Sequence, residues 1–265
     1  MYSRDIVDKA LRLHSQGHSD QAVANACGVS IHAVRHWRYG QRRLLGMEPS
    51  RKNRPTYCPL CHGEELKANA YSYLLGLYLG DGHIVRGRRD VYVLSVYCDE
   101  KYPRLMDLCA EAMEEVFPIR SYRVSRAGAC TAVQASSKHW SCLFPQHGPG
   151  MKHTRKIQLE AWQQAVVEAH PQEFIKGLMH SDGCRGNNRV RRRTRTGWKY
   201  YDYPRYEFVN ASQDIVGLLT AALDLLGIPW KSRIQRRPPH QDKIIIAVAT
   251  KDAVARLDEF VGPKS

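Results

Sequence analysis

The sequence YSYLLGLYLGDGH, from Tyr71 to His83, is an apolar stretch that ends in the pair Asp81-Gly82. A second stretch of the same kind, EFIKGLMHSDGCR from Glu173 to Arg185, ends in Asp182-Gly183, 101 residues later (182 − 81). Each stretch predicts a buried helix that ends at its aspartate, followed by a glycine in the left-handed conformation that commonly closes a helix. The repeated pattern predicts that a pair of related helices lies at the centre of the fold.

Small residues lie four positions apart in both predicted helices, Gly76 with Gly80 and Gly177 with Ser181. Residues four apart share one face of a helix, so the two helices can pack backbone to backbone and bring their terminal carboxylates together. A carboxylate at a helix C-terminus faces the negative end of the dipole, which costs up to about 1 kcal/mol. A single Asp-Gly pair is an ordinary turn, but two with the same spacing indicate a compensating cation.

The segments LLGLYLGDG (residues 74–82) and IKGLMHSDG (residues 175–183) resemble the two motifs of the single-chain LAGLIDADG, or DOD-type, homing endonucleases. The second segment departs from the motif at Ile175-Lys176 and at His180. The resemblance implies an α+β fold, a duplicated αββαββα saddle with pseudo-two-fold symmetry, over residues 70–262. Double-stranded DNA would lie on the concave face of that saddle.

The resemblance also implies metal-dependent cleavage of phosphodiesters, with Asp81 and Asp182 as catalytic residues that bind Mg²⁺ or Mn²⁺. Lys138 and Lys251, after the fourth predicted strand of each half, match by position the basic residues that assist in the family. Both lysines also fit ordinary surface positions at the start of a helix. The alternative function is a transcription regulator that has kept the saddle and lost cleavage, and a third is an RNA-binding splicing helper of the maturase kind.

The composition favours a polyanionic partner. Forty Lys and Arg residues against 26 Asp and Glu residues give a net charge of +14 and a pI of about 9.5, which is typical of nucleic-acid-binding proteins. No apolar run approaches the length needed to cross a bilayer. We therefore expect an intracellular, cytoplasmic protein without a membrane partner, nucleoid-associated when bound, and monomeric with an internal pseudo-dimer.

The N-terminal residues 1–45 have the pattern of a helix-turn-helix domain. Three short helices are predicted, the second and third capped by Ser19 and Ser30. The third carries Arg35, His36 and Arg38, so it would be the one that contacts DNA. The alternative is a three-helix protein-interaction module with a solvated basic face.

A linker over residues 46–69 contains the pair Cys58 and Cys61 in a CxxC arrangement. One such pair is half of a tetrahedral zinc site, which needs two further ligands. Eight cysteines at irregular spacing in an intracellular chain favour reduced thiols or metal ligands over disulfides. A pair of reduced surface cysteines is the alternative to zinc. The candidates for the missing ligands are His62, Cys98, Cys142 and His147.

Residues 70–165 and 166–265 form two repeats in the same order: helix, two strands, helix, two strands, helix. A helix over residues 157–169 is predicted to belong to the connection between them. The hairpin after each Asp-Gly pair is rich in arginine, and a β-ribbon fits the major groove of DNA. A solvated charged loop is the alternative. The residues predicted to bind DNA in the two repeats are Arg86, Arg88, Arg89, Arg185, Arg189, Arg191, Arg193, Arg195, Lys199, Arg233 and Arg236.

Overall fold

The computed structural model describes residues 2–39 and 58–264, which belong to two units, Met1–Thr56 and Tyr57–Ser265. The smaller unit contains α1 (Arg4–Ser15), α2 (Asp20–Cys27) and α3 (Ile31–Tyr39). The Ser19 hydroxyl accepts a hydrogen bond from the Ala22 N–H, and the Ser30 hydroxyl accepts one from the Ala33 N–H, both at 3.2 Å. These caps satisfy N–H groups that have no partner within the helix. The structure thus contains the three predicted helices.

The first half of the larger unit follows the predicted order and begins with a one-turn helix at the CxxC sequence. Its elements are α4 (Pro59–His62), α5 (Ala68–Asp81), β1 (Gly82–Arg86), β2 (Tyr92–Asp99), α6 (Pro103–Val116), β3 (Tyr122–Arg126), β4 (Cys130–Ser137) and α7 (Trp140–Leu143).

The connecting helix, α8 (Ala161–Ala169), starts four residues later than predicted. Ile157 donates its N–H to Asp214 at 2.7 Å, and the carbonyl of Gln158 accepts from Gln146 at 2.8 Å. These bonds use backbone groups of Ile157 and Gln158 in tertiary contacts. A capping box between Glu160 and Gln163 then begins the helix.

The second half repeats the order of the first. Its elements are α9 (Pro171–Ser181), β5 (Gly183–Thr194), β6 (Gly197–Asn210), α10 (Gln213–Leu225), β7 (Lys231–Arg237), β8 (His240–Val248) and α11 (Lys251–Phe260). The two antiparallel sheets have the orders β1-β2-β4-β3 and β5-β6-β8-β7, which confirms the duplicated αββαββα architecture. None of the described helices is long and apolar enough to cross a lipid bilayer.

The helices α5 and α9 lie against each other through their glycines, as predicted. A Cβ atom added to Gly76 would lie 2.5 Å from the Phe174 carbonyl oxygen and 2.9 Å from the Cα atom of Gly177. Any side chain at either glycine would therefore force the helices apart. The close approach brings the C-terminal ends of α5 and α9 together within one core.

The two halves differ mainly in the length of the first hairpin. The offset between matching residues is 101 from Gly82 to Gly183, but 112 between their strand partners Val96 and Phe208. The second hairpin is therefore 11 residues longer than the first. Its 12-residue strand β5 spans about 40 Å at about 3.3 Å per residue, so it extends well beyond the helices that cover its base.

Candidate functional site

The two aspartates lie at the ends of the paired helices, but the glycines that follow them are not left-handed. Gly82 has φ −82° and ψ 150°, which is extended backbone and begins β1. A Cβ atom here would lie 2.8 Å from the Tyr78 carbonyl oxygen, and one at Gly183 would lie 2.7 Å from the Met179 Cα. Both glycines are thus required by lack of space where the chain turns directly from helix to strand.

Both carboxylates are largely shielded from solvent, and each pKa is raised. Burial, followed by the nearby charge of Asp182, raises the pKa of Asp81 to about 6. Burial also raises the pKa of Asp182, against a 2.8 Å hydrogen bond that its Oδ2 accepts from the Asn210 amide. Burial and mutual repulsion make the ionised forms of both carboxylates unfavourable, and a bound cation would offset this cost.

Two half-buried lysines, which the sequence analysis missed, lie at the same helix ends. Lys152 donates to the carbonyl oxygens of Tyr78, Gly80 and Gly82 at 2.5, 2.6 and 3.0 Å. Lys264 donates to the carbonyl oxygens of Ser181 and Gly183 at 3.0 and 2.5 Å.

These lysines are related by the duplication. They lie 112 positions apart (264 − 152), which is the offset between the halves after the long hairpin. Burial lowers the pKa of Lys152 to about 8 and also lowers that of Lys264, while both charges act on the two aspartates. The shared offset was the only signal in the sequence that could have revealed them.

Charges of both signs meet at the helix ends. Two carboxylates and two helix C-termini, each equivalent to about −0.5 charge, lie near the ammonium groups of Lys152 and Lys264, and Lys243 also acts on Asp182. Carboxylate oxygens are the ligands that Mg²⁺ and Mn²⁺ prefer, so the residues present fit a hard divalent cation.

A cleft of about 860 Å³ opens at these helix ends between the two sheets. Both halves of the larger unit line it, because His83 from β1 and Lys152 from the connection face Asp182 and Asn210 from the second half. Lys243 of β8 also lines the cleft and lowers the pKa of Asp182. The site thus combines acidic groups with a cationic wall.

Comparison with solved structures identifies this architecture. A structure from a study of mesophilic variants of the homing endonuclease I-DmoI matches 75% of this chain and 94% of its own, with a TM-score of 0.50 and 14% identity. The chain has the LAGLIDADG homing endonuclease fold. I-DmoI in complex with DNA and Mn aligns at 13% identity, over 74% of this chain and 98% of its own, with a TM-score of 0.48.

A further LAGLIDADG homing endonuclease, I-SmaMI bound to cleaved DNA, aligns at 12% identity with a TM-score of 0.46, over 76% of this chain and 85% of its own. No family model matches the sequence, and no curated protein sequence matches it. The likeness is therefore one of fold.

Within the LAGLIDADG fold, Lys138 lies away from the paired aspartates, and neither Lys138 nor Lys251 is among the charges that act on them. Lys138 is exposed after β4, whose last residue is level with Arg86 at the far end of β1. That level is about 13 Å along the strand from Gly82, four residues at about 3.3 Å each. Lys251 is exposed at the start of α11. The lysines whose charges act on the aspartates are instead Lys152, Lys243 and Lys264.

Arg185 does not face the open side of its sheet. Its guanidinium group donates to both carboxylate oxygens of Asp258 on α11, at 2.7 and 2.8 Å. Arg185 pairs with Tyr206, whose side chain is buried beneath the helices and donates to the same carboxylate. DNA binding by Arg185 stays a prediction, and in the structure its guanidinium group joins the sheet to α11.

The remaining hairpin cations divide between two faces of the ribbon. Residues Arg189, Arg191 and Arg193 share one face, where the first two lie over the rings of Tyr200 and Trp198, 4.6 and 4.1 Å from the ring centroids. Arg195 is exposed in the turn between β5 and β6. The register places the other cations on the face that continues the side of the sheet opposite the helices, namely Arg192, Lys199 and Arg205.

Other predicted DNA-binding residues lie at the edges of the two sheets. Arg86 is exposed and pairs with Asp90, and Arg88 and Arg89 are exposed in the turn between β1 and β2. On β7, Arg233 lies on the side opposite the helices, where it donates to Glu207 at 3.2 Å, and Arg236 is exposed.

In the smaller unit, Asp20 of α2 accepts hydrogen bonds from two of the predicted DNA-binding residues. Arg38 donates at 2.7 Å and Arg35 at 3.3 Å. These ion pairs join α3 to α2, so both arginines already have a protein partner. Arg35 keeps 57% of its side chain exposed, and His36 is exposed on the same helix.

The cysteines of the CxxC sequence belong to a four-residue cluster. Cys58, Cys61, His139 and Cys142 place one potential ligand atom each within 4.8 Å of all the others. Cys142 was among the predicted ligands, whereas His139 was missed, although its HxxC spacing to Cys142 mirrors the CxxC spacing.

Three other predicted ligands are not part of this cluster. The ring of His62 packs edge-on against that of His139, with centroids 5.4 Å apart. Cys98 is buried beside Cys109, and the ring of His147 packs against that of Tyr92.

Proposed function

We propose that this chain is a sequence-specific DNA endonuclease of the LAGLIDADG kind, which binds double-stranded DNA and cleaves phosphodiester bonds with a divalent metal ion. The observation that supports this most strongly is the pair of half-buried aspartates at the ends of α5 and α9, of which Asp182 lines the cleft between the two sheets. The resemblance to homing endonucleases in fold agrees with this proposal.

The open faces of the sheets supply the surface for DNA. In the second half, Phe208 and Val248 are buried against the helices, while Arg205 and Arg233 lie on the opposite side. In the first half, the corresponding side carries the buried pair Ser95 and Gln134, which share a 2.7 Å hydrogen bond, and the exposed side chains of His83 and Tyr97. We expect the long β5–β6 hairpin to contact more base pairs than the short β1–β2 hairpin, so that the footprint is asymmetric.

Asp81 and Asp182 would hold Mg²⁺ or Mn²⁺, which when bound supplies charge stabilisation at phosphorus and lowers the pKa of water. The residues of the chain keep this site in place. Lys152 donates to the carbonyl oxygens at the end of α5 and Lys264 to those at the end of α9, and each fixes its own helix-to-strand turn. Asn210 donates to Asp182 and orients that carboxylate. The pseudo-two-fold relation assigns one half of the site to each DNA strand.

The lysine roles in this proposal differ from the sequence-based expectation. We propose Lys152 and Lys264 as positioning residues, since their ammonium groups touch the helix ends. Lys138 and Lys251 would contact phosphates farther along the duplex. The three-helix unit, with its exposed Arg35 and His36, would act as a helix-turn-helix that increases affinity for DNA.

The test is cleavage of a DNA library by the full chain, with and without Mg²⁺, followed by sequencing of captured ends. Asp81→Asn and Asp182→Asn should each abolish double-strand breaks without loss of DNA binding. Asp252→Asn, at an exposed position on α11, is the matched control and should cleave normally. Tight, salt-sensitive binding without cleavage by the unmodified chain would refute the enzyme and favour the regulator.

A further inference from the structure

The cluster of Cys58, Cys61, His139 and Cys142 lies outside the cleft and takes no part in the proposed cleavage. Two segments distant in sequence form it, one at the entry into the larger unit and one directly after β4. Each segment contributes two ligands three residues apart on a single helical turn, α4 or α7. Four potential ligands therefore converge on one point from two short segments of similar structure.

The distances within the cluster fit a tetrahedral metal site. At zinc–ligand bonds of about 2.0–2.3 Å, neighbouring ligand atoms lie about 3.5–3.8 Å apart. The Sγ atoms of Cys61 and Cys142 are 3.5 Å apart, and Cys142 Sγ lies 3.7 Å from His139 Nδ1. The two sulfur atoms are too far apart for a disulfide, whose bond is about 2.05 Å long, and all four cysteine and histidine side chains can reach a common centre.

The backbone of the first segment holds Cys58 and Cys61 in one helical turn. Cys58 is the residue directly before the one-turn helix α4, and Cys61 lies within that turn. Gly63 then ends the turn in the left-handed conformation, with φ 69°. Cys58 is fully buried, whereas Cys61 is exposed and His139 and Cys142 are half-buried, which leaves an entry path for an ion.

We propose that Cys58, Cys61, His139 and Cys142 form a structural zinc site. Three thiolates and one imidazole are a soft donor set that selects Zn²⁺ over Mg²⁺. Four protein ligands fill the tetrahedral shell and leave no open position for substrate, so the site is structural rather than catalytic.

The zinc ion joins two segments that also meet through the rings of His62 and His139. Within residues 58–62 only Cys58 is fully buried, and Leu60 is 44% exposed. The metal anchors this segment to α7 and to the end of the first sheet. It thereby fixes the point at which the chain enters the larger unit ahead of α5. Removal of zinc should release the segment and leave the paired aspartates unchanged.

The first experiment measures the metal content of the full chain, purified under reducing conditions and dialysed against metal-free buffer. We expect about one equivalent of zinc per chain. Cys61→Ser combined with Cys142→Ser should lower this at least tenfold, while Cys130→Ser, a half-buried cysteine outside the cluster, should retain the metal.

A second measurement uses the unmodified protein first, and so does not depend on whether the double variant folds. Cobalt added to the metal-free protein should give the visible absorption bands of a tetrahedral thiolate site, and His139→Asn should shift them. Substoichiometric zinc with no such bands would overturn the proposal, as would a Cys61–Cys142 disulfide in protein purified without reductant. Neither outcome bears on cleavage by Asp81 and Asp182.

Discussion

Replacement of Asp81 by Asn should stabilise the metal-free protein while it removes cleavage. Burial and the charge of Asp182 raise the pKa of Asp81 from 3.8 to about 6. A raised carboxyl pKa means that the folded state holds the proton more tightly than the unfolded state. The free energy of unfolding therefore falls as pH rises from the pKa of the unfolded state to that of the folded state. Above the folded-state pKa, the ionised Asp81 lowers it by the full amount.

The magnitude follows from the size of the shift. Two units at 1.36 kcal/mol each correspond to about 3 kcal/mol at pH 8. Asparagine has nearly the same shape and no charge, so we expect a gain of about 2–3 kcal/mol. At pH 5 part of the aspartate is already protonated in the folded state, and the gain should fall to about half of that value.

The assay is urea unfolding in EDTA at pH 8 and pH 5, followed through far-UV circular dichroism. Mg²⁺ should then stabilise the unmodified protein and have less effect on Asp81→Asn, because ligand binding adds stability only where the site is complete. A variant that is less stable at pH 8, or a gain that does not change with pH, would show that the buried charge is not a source of instability.

Three further predictions concern packing, DNA binding and the half-buried lysines. Gly76→Ala should cost about 3 kcal/mol or more in thermal or urea unfolding because its Cβ would meet the Phe174 carbonyl at 2.5 Å, whereas Gly217→Ala, with nothing within 4 Å, should be neutral or stabilising. Alanine at all of Arg191–Arg193 should reduce the slope of log affinity against log salt by about 2–3; an unchanged slope, or an equal effect of Arg104→Ala on α6, would contradict the ribbon's contact with phosphate. Lys264→Met removes a charge that lowers the pKa of both aspartates, so the acid limb of the pH–cleavage profile should move to higher pH, and loss of rate with no shift would indicate a purely structural role.

Local pattern predicted most of the secondary structure because each element carries its own signal. The alternating residues of β2, the capping serines of α2 and α3, and the arginine-rich hairpin all depend on neighbours in sequence. Patterns failed where a distant contact decided the outcome. The residues Ile157 and Gln158 continue the amphipathic pattern of α8, yet side chains more than ten residues away bind their backbone groups.

The candidate site was predicted in part for the same reason. Asp81 and Asp182 stood out because a duplicated motif repeats within the chain. Lys152 and Lys264 carry no local motif, and their role depends on carbonyl oxygens more than 70 residues away. Arg185 lies in an arginine-rich hairpin, as a DNA-binding residue would, but its side chain bonds to Asp258. Its neighbours in sequence do not show which of these two roles it has.

The amino-acid sequence alone determined the duplication, the order of the elements, the pairing of two glycine-lined helices and the excess of positive charge. All of these arise from periodicity and composition, which act over a few residues or over the whole chain. The tertiary structure alone decided which lysines neutralise the helix ends, which face of the ribbon each arginine occupies, and which histidine joins the three cysteines. Those outcomes depend on the distances between elements in space. Electrostatic and metal–ligand interactions weaken within a few ångströms, and residues far apart in sequence can lie that close.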